Sequence, residues 1–365
     1  MMQLLTPTLT VNTAAIVANW QQLRAQFSGR ETAAVVKADA YGLGMLPVAK
    51  ALAEAGCHTF FVAHASEGVA LRAALKDVRV LVFHGVQAGE EFAFVQHRLI
   101  PVLNSAEQLA RWRNVAVHDA HAVSALHIDT AMARLGLQPE AFFALLQNDA
   151  DIIKDCRVSL LMSHLACAPD ASHPSNAMQR EAFAAIAAAL PEIPRSLCNS
   201  GGIYLGRDYH CDLARPGCSL YGIAPQSHAA NPMQPVAQWH APILQIRTLQ
   251  QAQAVGYGAT QTLSAGTRVA TVASGYADGY HRMLSGNAVA YAAGIAVPLV
   301  GRVTMDMLCF DVSAVPTEHL AEGDMLTLLG DHNGIRVDEL ASAAQTIGYE
   351  ILTSIGPRVV REYRA

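Results

Sequence analysis

Apolar and polar positions change their rhythm near Tyr221. Before it, short runs that are apolar nearly throughout alternate with alanine-rich stretches whose apolar residues recur at helical spacing. The runs are 33–38 (AAVVKA), 59–63 (TFFVA), 78–84 (VRVLVFH), 99–104 (LIPVLN), 125–129 (ALHID), 158–164 (VSLLMSH), 196–199 (SLCN) and 211–215 (CDLAR). Runs without polar alternation suit strands buried on both faces. Stretches such as 46–55 and 178–190 suit the helices that cover them. Eight βα units in about 220 residues predict a (β/α)8 TIM-type barrel. A doubly wound open sheet is the alternative, and the count of eight favours the barrel.

After Tyr221 the texture differs. Residues 225–240 carry three prolines and a polar scatter, which suits a linker. Beyond it, strand-like runs at 241–249, 267–274, 288–292, 296–300, 307–312 and 324–329 are punctuated by glycine, and helical periodicity returns only at 337–347. The expected organisation is therefore an α/β barrel over 1–232 followed by a mainly-β domain over 233–365.

Composition narrows the class. Of 365 residues, 52% are hydrophobic and 15% charged, with 25 basic against 30 acidic side chains. Large buried cores follow, and a disordered chain is excluded. No basic excess points to nucleic acid. Seven cysteines, odd in number and without a CxxC pair, suit thiols in a reducing compartment. The first ten residues, MMQLLTPTLT, lack a secretory pattern, and the apolar helical stretch 182–190 is too short for a bilayer. The expectation is a cytoplasmic protein without membrane contact.

The ends of the strands carry the chemistry in a (β/α)8 barrel. Lys37 ends the first run, inside AAVVKADAYG. A lysine there is either a buried structural ion pair or an amine whose proton affinity desolvation has lowered. The seventh and eighth runs lead into Asn199-Ser200-Gly201-Gly202 and Arg215-Pro216-Gly217-Cys218. Small-residue turns at those two places are the usual phosphate site of such a barrel, although glycine also serves plain turns. A reactive lysine with a phosphate cradle on one rim points to pyridoxal 5′-phosphate (PLP), held through a Schiff base. His164, at the end of the sixth run, suits a ring face or a satisfied core position. Arg215 offers a planar donor fork or a structural ion pair, and Arg134 suits either a substrate carboxylate or a helix surface. The segments around Tyr276 and Met305, SGYADGY and GRVTMDM, are polar interruptions in the β half that periodicity leaves uninterpreted. His118, Asp119 and His121 lack third and fourth ligands at metal spacing, so no metal site is expected.

Nine ordered segments carry a resemblance. AVVKADAYGLG (34–44), HIDTAMARLG (127–136), LMSHLA (161–166), NSGG (199–202), RPGCSLYG (215–222), VGYGAT (255–260), SGYADGY (274–280), PLVGRVTMDM (298–307) and YEILTSIGPRV (349–359) resemble the alanine racemase family. The resemblance implies a PLP-binding (β/α)8 barrel, a C-terminal β domain and a head-to-tail homodimer that acts on L-alanine and D-alanine. Each site would be completed by the second domain of the other copy. Lys37 would carry PLP and handle the D-alanine proton, and Tyr276 from the other copy would handle the L-alanine proton. Arg134 and the backbone N–H of Met305 would bind the substrate carboxylate. Tyr41, Ser200, Gly217 and Cys218 would hold the phosphate. Arg215 would face the pyridine nitrogen, and His164 would link it to Tyr276.

Physical logic agrees with this assignment. Racemisation removes a proton from one face of the α-carbon and returns one to the other, and two bases on opposite faces do this most simply. A phenol ionises near pH ~10 in water, so a path through His164 to a cationic arginine would help it act near neutrality. The sequence also departs from the family pattern. His127 stands where many members have a lysine modified to a carbamate that positions the carboxylate-binding arginine. Ala131 and Ala133 stand where glycines are frequent, and Pro357 replaces a phosphate-binding tyrosine. A PLP decarboxylase of the same architecture gains nothing from gripping the carboxylate through Arg134. A non-catalytic PLP-binding barrel has no use for the β half.

Overall fold

The computed structural model describes residues 5–330 and 335–365. The first four residues, part of the segment read as lacking a secretory pattern, lie outside this range. The barrel expected from the apolar runs is present. Its first strand comes in two pieces, Glu31–Thr32 and Ala34–Val35. Six parallel strands follow: Thr59–Val62, Arg79–Val82, Ile100–Leu103, Ser124–His127, Val158–Met162 and Arg195–Ser196. The eighth, Leu213–Ala214, pairs in parallel with Glu31–Thr32. Backbone bonds from Asp212 N–H to Arg195 O (2.9 Å) and from Ala33 N–H to Ala214 O (2.9 Å) complete the ring. Strands such as TFFV and IPVL are buried at every position, which explains their unbroken apolar runs.

Helices cover the outside, among them Thr13–Gln26, Met45–Glu54, Ala106–Ala116 and Pro174–Ala187. Asn12 caps the first by accepting the Ala15 N–H at 2.9 Å. After the seventh and eighth strands the chain makes only 3-10 turns at first, Gly202–Tyr204 and Cys218–Tyr221, and these line the barrel mouth. His121 N–H bonds to Asp119 Oδ1 at 2.8 Å, so this segment is a polar turn. Among the described residues no helix is long and apolar enough to cross a membrane.

The second half is a sheet of eight strands centred on Ala237–Thr248. That strand pairs antiparallel with Met325–Leu329, Arg268–Val272 and, unexpectedly, Thr8–Asn12. The N-terminal strand also runs parallel to Val360–Arg364. Assigning 1–232 to the barrel thus puts Thr8–Asn12 with the wrong layer. Its apolar positions Leu9 and Val11 are fully buried in the sheet of the second half. One continuous core runs through both layers and contains Trp20 of the first helix together with Trp239, Ile351 and Leu352.

Candidate active site

Lys37 sits where the first barrel strand turns into an unusual loop. Ala38, Asp39, Ala40 and Tyr41 all have φ between 52° and 57°, and Gly42 follows at 83°. This is a left-handed turn built of non-glycine residues, a conformation that costs about 1–2 kcal/mol per residue. Several contacts offset that cost. Gly42 N–H bonds to Ala38 O at 2.8 Å, and Asp39 Oδ1 accepts the Met45 N–H at 2.7 Å. Arg361, from the final strand, donates to Gly42 O through Nε (3.2 Å) and Nη2 (3.0 Å). Tyr41 is buried against Tyr221, with ring centroids 4.7 Å apart. Burial pushes its phenol well above the ordinary range.

The barrel mouth opens into a cavity of about 1120 Å³ lined by Lys37, Tyr41, Arg134, His164, Ser200 and Arg215, with Gly217 and Cys218 at its wall. Eight of the ten expected site residues thus share one space. The Lys37 amine lies 5.7 Å from the Phe83 ring centroid. Burial, then the Arg134 charge, lowers its proton affinity, and Glu67 acts the other way. Ser200 joins the two phosphate-type loops, its Oγ accepting the N–H groups of Gly217 (3.0 Å) and Ser219 (3.3 Å). A hydroxyl that accepts twice keeps one proton to donate. A Cβ at Gly217 would lie 2.5 Å from Tyr41 Oη, so only glycine fits between that phenol and the turn.

Arg215 is 2% exposed. It donates to Ser196 Oγ and, at 2.6 Å, to Ser163 O, and its Nη2 is 3.5 Å from His164 Nδ1. Burial lowers its pKa to about 10, so it keeps its charge near neutrality. Its Nε is buried without a hydrogen-bond partner among the described residues. An orphaned donor of this kind calls for an acceptor from a bound group, and a pyridine nitrogen is one. His164 is held well below the ordinary imidazole range by burial and then by the Arg215 charge, so it is neutral. Orphan donor, glycine-tight cradle and half-buried amine together fit PLP.

His127 ends the fifth strand, 8% exposed, with Nδ1 2.9 Å from Asn104 Oδ1. The Asn104 amide nitrogen already donates to Phe83 O (3.0 Å) and Val102 O (2.7 Å), so the imidazole carries its proton on Nδ1. Burial and the Arg215 charge bring its pKa to about 4. The Arg134 loop beyond it is shaped by Asp129, whose carboxylate accepts the N–H groups of Met132 (2.8 Å) and Ala133 (2.9 Å). Ala131 (φ 76°) and Ala133 (φ 56°) are left-handed, which is why glycine suits these positions.

Tyr276 and Met305 stay outside this cavity. They are 44% and 53% exposed on the β half. The two are nevertheless locked to each other: Tyr276 N–H bonds to Thr304 O (3.0 Å) and Ala277 N–H to Met305 O (3.1 Å). Arg358 clamps both segments, with Nε 3.0 Å from the buried Asp278 carboxylate and Nη1 2.7 Å from Asp306. Sequence reasoning gave no role to Tyr349, which enters the cavity wall from the helix Gly348–Ser354 and donates to Cys218 Sγ at 3.0 Å. Glu67 and Asn104 were also missed. Locally Glu67 reads only as the third residue of a helix start, and the contacts that tie these two side chains to the site, Glu67 to the Ala38 N–H and Asn104 to Phe83 O and the His127 ring, span 21 to 29 residues.

Comparison with known proteins agrees with this geometry. The family descriptions "Alanine racemase, N-terminal domain" and "Alanine racemase, C-terminal domain" match residues 11–225 and 236–363. An alanine racemase of Rhodospirillum rubrum is 46% identical, covering 98% of this chain and 96% of its own length. A catabolic alanine racemase of Agrobacterium fabrum is 43% identical over 97% of this chain and 91% of its own length. The Bartonella henselae alanine racemase, solved with covalently bound pyridoxal phosphate, superposes with a TM-score of 0.92 at 36% identity, covering 98% of this chain and 99% of that one. In sequence and in fold, over both halves, the chain belongs to the alanine racemase family.

Proposed function

We propose that this chain, a PLP-dependent isomerase that interconverts L-alanine and D-alanine, works by two bases drawn from two copies. Lys37 of one copy is the first and Tyr276 of the partner subunit the second. PLP, bound covalently, supplies the electron sink that makes the alanine α-proton acidic. Lys37 holds PLP through Nζ and, when released, takes or returns the α-proton on the D face. Tyr276 of the partner subunit does the same on the L face. Tyr41, the Ser200 hydroxyl and the turn at Gly217 and Cys218 hold the phosphate. Arg215 would offer its unpaired Nε–H to the ring nitrogen and would keep that proton, since even at about 10 its pKa lies far above neutrality. A ring nitrogen left unprotonated in this way would be a weaker electron sink, which would suppress side reactions such as transamination. Neutral His164 links Arg215 towards the incoming phenol. Arg134 pairs with the substrate carboxylate, with the Met305 N–H of the partner subunit as second donor.

The observation that carries this reading is the shared cavity of Lys37, the Ser200-bridged cradle and the unpaired Arg215 Nε. The exposure of the rigid Tyr276–Met305 unit supports a homodimer in which residues 233–365 complete the partner's site. Seven free cysteines support action in the reducing cytoplasm. The test is L-alanine incubated with PLP-loaded protein in D2O, followed by chiral separation and mass detection. D-alanine carrying one deuterium is expected. Unlabelled L-alanine alone, with PLP still bound, overturns the assignment.

A further inference from the structure

The turn after Lys37 is anchored at its first peptide by a side chain outside it. Backbone bonds hold the body of the turn, with Ala40 N–H reaching Val36 O at 2.9 Å, Gly42 N–H reaching Ala38 O at 2.8 Å and Gly44 N–H reaching Asp39 O at 2.8 Å. The N–H of Ala38, the first left-handed residue, goes instead to Glu67 Oε1 at 2.6 Å. The other oxygen, Oε2, accepts from Ala63 (2.8 Å) and His64 (3.1 Å), just past the second barrel strand Thr59–Val62. Capping the helix Ala65–Ala74 requires only the His64 bond. Glu67 thus spends one oxygen on its own helix and gives the other to the peptide that follows Lys37.

We propose that Glu67 is the positioning residue of Lys37: its carboxylate fastens the start of the left-handed turn to the mouth of the second strand and so aims the amine into the cavity. This rests on the reading that Lys37 carries PLP and the D-face proton. The backbone supports it, because four non-glycine residues in a row at positive φ need an external hold at the point where the strand ends. The charge is apt as well. Arg134 lowers the Lys37 proton affinity, His84 feels the Lys37 charge, and Glu67 is the carboxylate that raises Lys37.

Glu67→Gln tests it. An amide has one acceptor oxygen, so it cannot serve Ala38 and the helix cap together. The first readout is the attachment of PLP to the apo-protein, in which the Lys37 amine condenses with the cofactor aldehyde and water leaves, followed by visible absorbance. Attachment is expected to slow about tenfold, as misaimed reacting groups do. The second readout is the primary deuterium isotope effect. A hindered Lys37 makes the D-face transfer more rate-limiting, so the effect should rise for α-deuterated D-alanine and fall for α-deuterated L-alanine. Wild-type attachment and unmoved isotope effects, with only a lower Tm, reduce Glu67 to a helix cap and overturn the proposal. Should Glu67→Gln not fold, Glu67→Asp, which keeps the charge on a shorter stem, is expected to move both readouts the same way, and wild-type values there overturn it equally. Borohydride reduction and peptide mass separate the two failures. PLP on another residue breaks the Lys37 reading itself, whereas PLP on Lys37 with unchanged readouts breaks only the role of Glu67.

Discussion

Lys37 and Tyr276 are held in opposite ways. Lys37 stands half-buried at the end of a barrel strand, on a left-handed turn that Glu67, Arg361 and Tyr221 brace from three directions. Tyr276 stands 44% exposed on a short 3-10 turn, with Met305 beside it at 53%. Yet that exposed turn is not loose, because Arg358 and Asp278 pin it against the Met305 segment. One expected base is enclosed within its own barrel, and the other is presented outward on a braced turn. Large exposed side chains on a braced turn are expected of a surface that meets a second molecule.

The comparison breaks hardest at Lys37. Lys37→Ala should abolish covalent cofactor attachment and lower turnover by about 10⁴-fold, the upper range for a positioned proton-transfer group. Bound-cofactor absorbance and racemase assays check both. Tyr276→Phe should keep PLP bound and lower turnover by about 10³-fold. Mixing the two inactive proteins sharpens the contrast. If the tyrosine serves the neighbouring barrel, hybrid dimers hold one intact site each, and about one quarter of the wild-type rate should return after random subunit exchange. A tyrosine acting within its own chain gives no recovery.

Smaller effects probe the braces. Arg358→Ala leaves the buried Asp278 carboxyl, already raised by burial, with the Gly275 N–H at 2.9 Å but no cation. Stability should drop slightly and kcat should fall by about tenfold, more than KM changes, because the tyrosine turn loosens. Urea unfolding and steady-state kinetics read these out. His127 provides the gentlest test. Its folded pKa of about 4 lies below the ordinary 6.5, so the stability it leaves intact above pH 6.5 is lost as pH falls towards 4. By pH 5 the loss should be about 2 kcal/mol. In apo-protein melts, His127→Gln should show a smaller drop between pH 7 and pH 5 than wild type.

The barrel was legible because its strands are buried on both faces. Each of the eight apolar runs overlaps a strand, and the β-half runs at 288–292 and 296–300 became the hairpin Val289–Ala292 and Ile295–Pro298. Thr8–Asn12 was misplaced because its partners lie more than 220 residues away, and no local pattern encodes such a pairing. The helix Gly348–Ser354 is too short for periodicity to register, so Tyr349 was missed with it. The left-handed turn was invisible for another reason. Ala38-Asp39-Ala40-Tyr41 has an ordinary helical composition, and tertiary contacts alone override it. Arg215, Ser200 and Lys37 could be placed together at one rim, where they line a single cavity, because strand ends concentrate chemistry in this architecture. Tyr276 and Met305 depended on resemblance, since both lie exposed on the β half, outside the cavity that gathers the other expected residues.

The parallel pairing of Thr8–Asn12 with Val360–Arg364 has a consequence for synthesis on the ribosome. The first strand is made at the start but finds its central neighbour only when residues 237–248 exist, and its outer neighbour only at 360–364. At typical elongation rates that wait lasts on the order of tens of seconds. The barrel, whose contacts are mostly between successive segments, can close during this interval around its lysine. The β layer cannot, so until the final residues are made the left-handed turn lacks Arg361, Cys218 lacks the Tyr349 hydroxyl, and the leading strand lacks its outer neighbour. Truncating the tail after residue 359 should therefore expose the edge of a strand made some 350 residues earlier, and aggregation of such a fragment should start at the N-terminus.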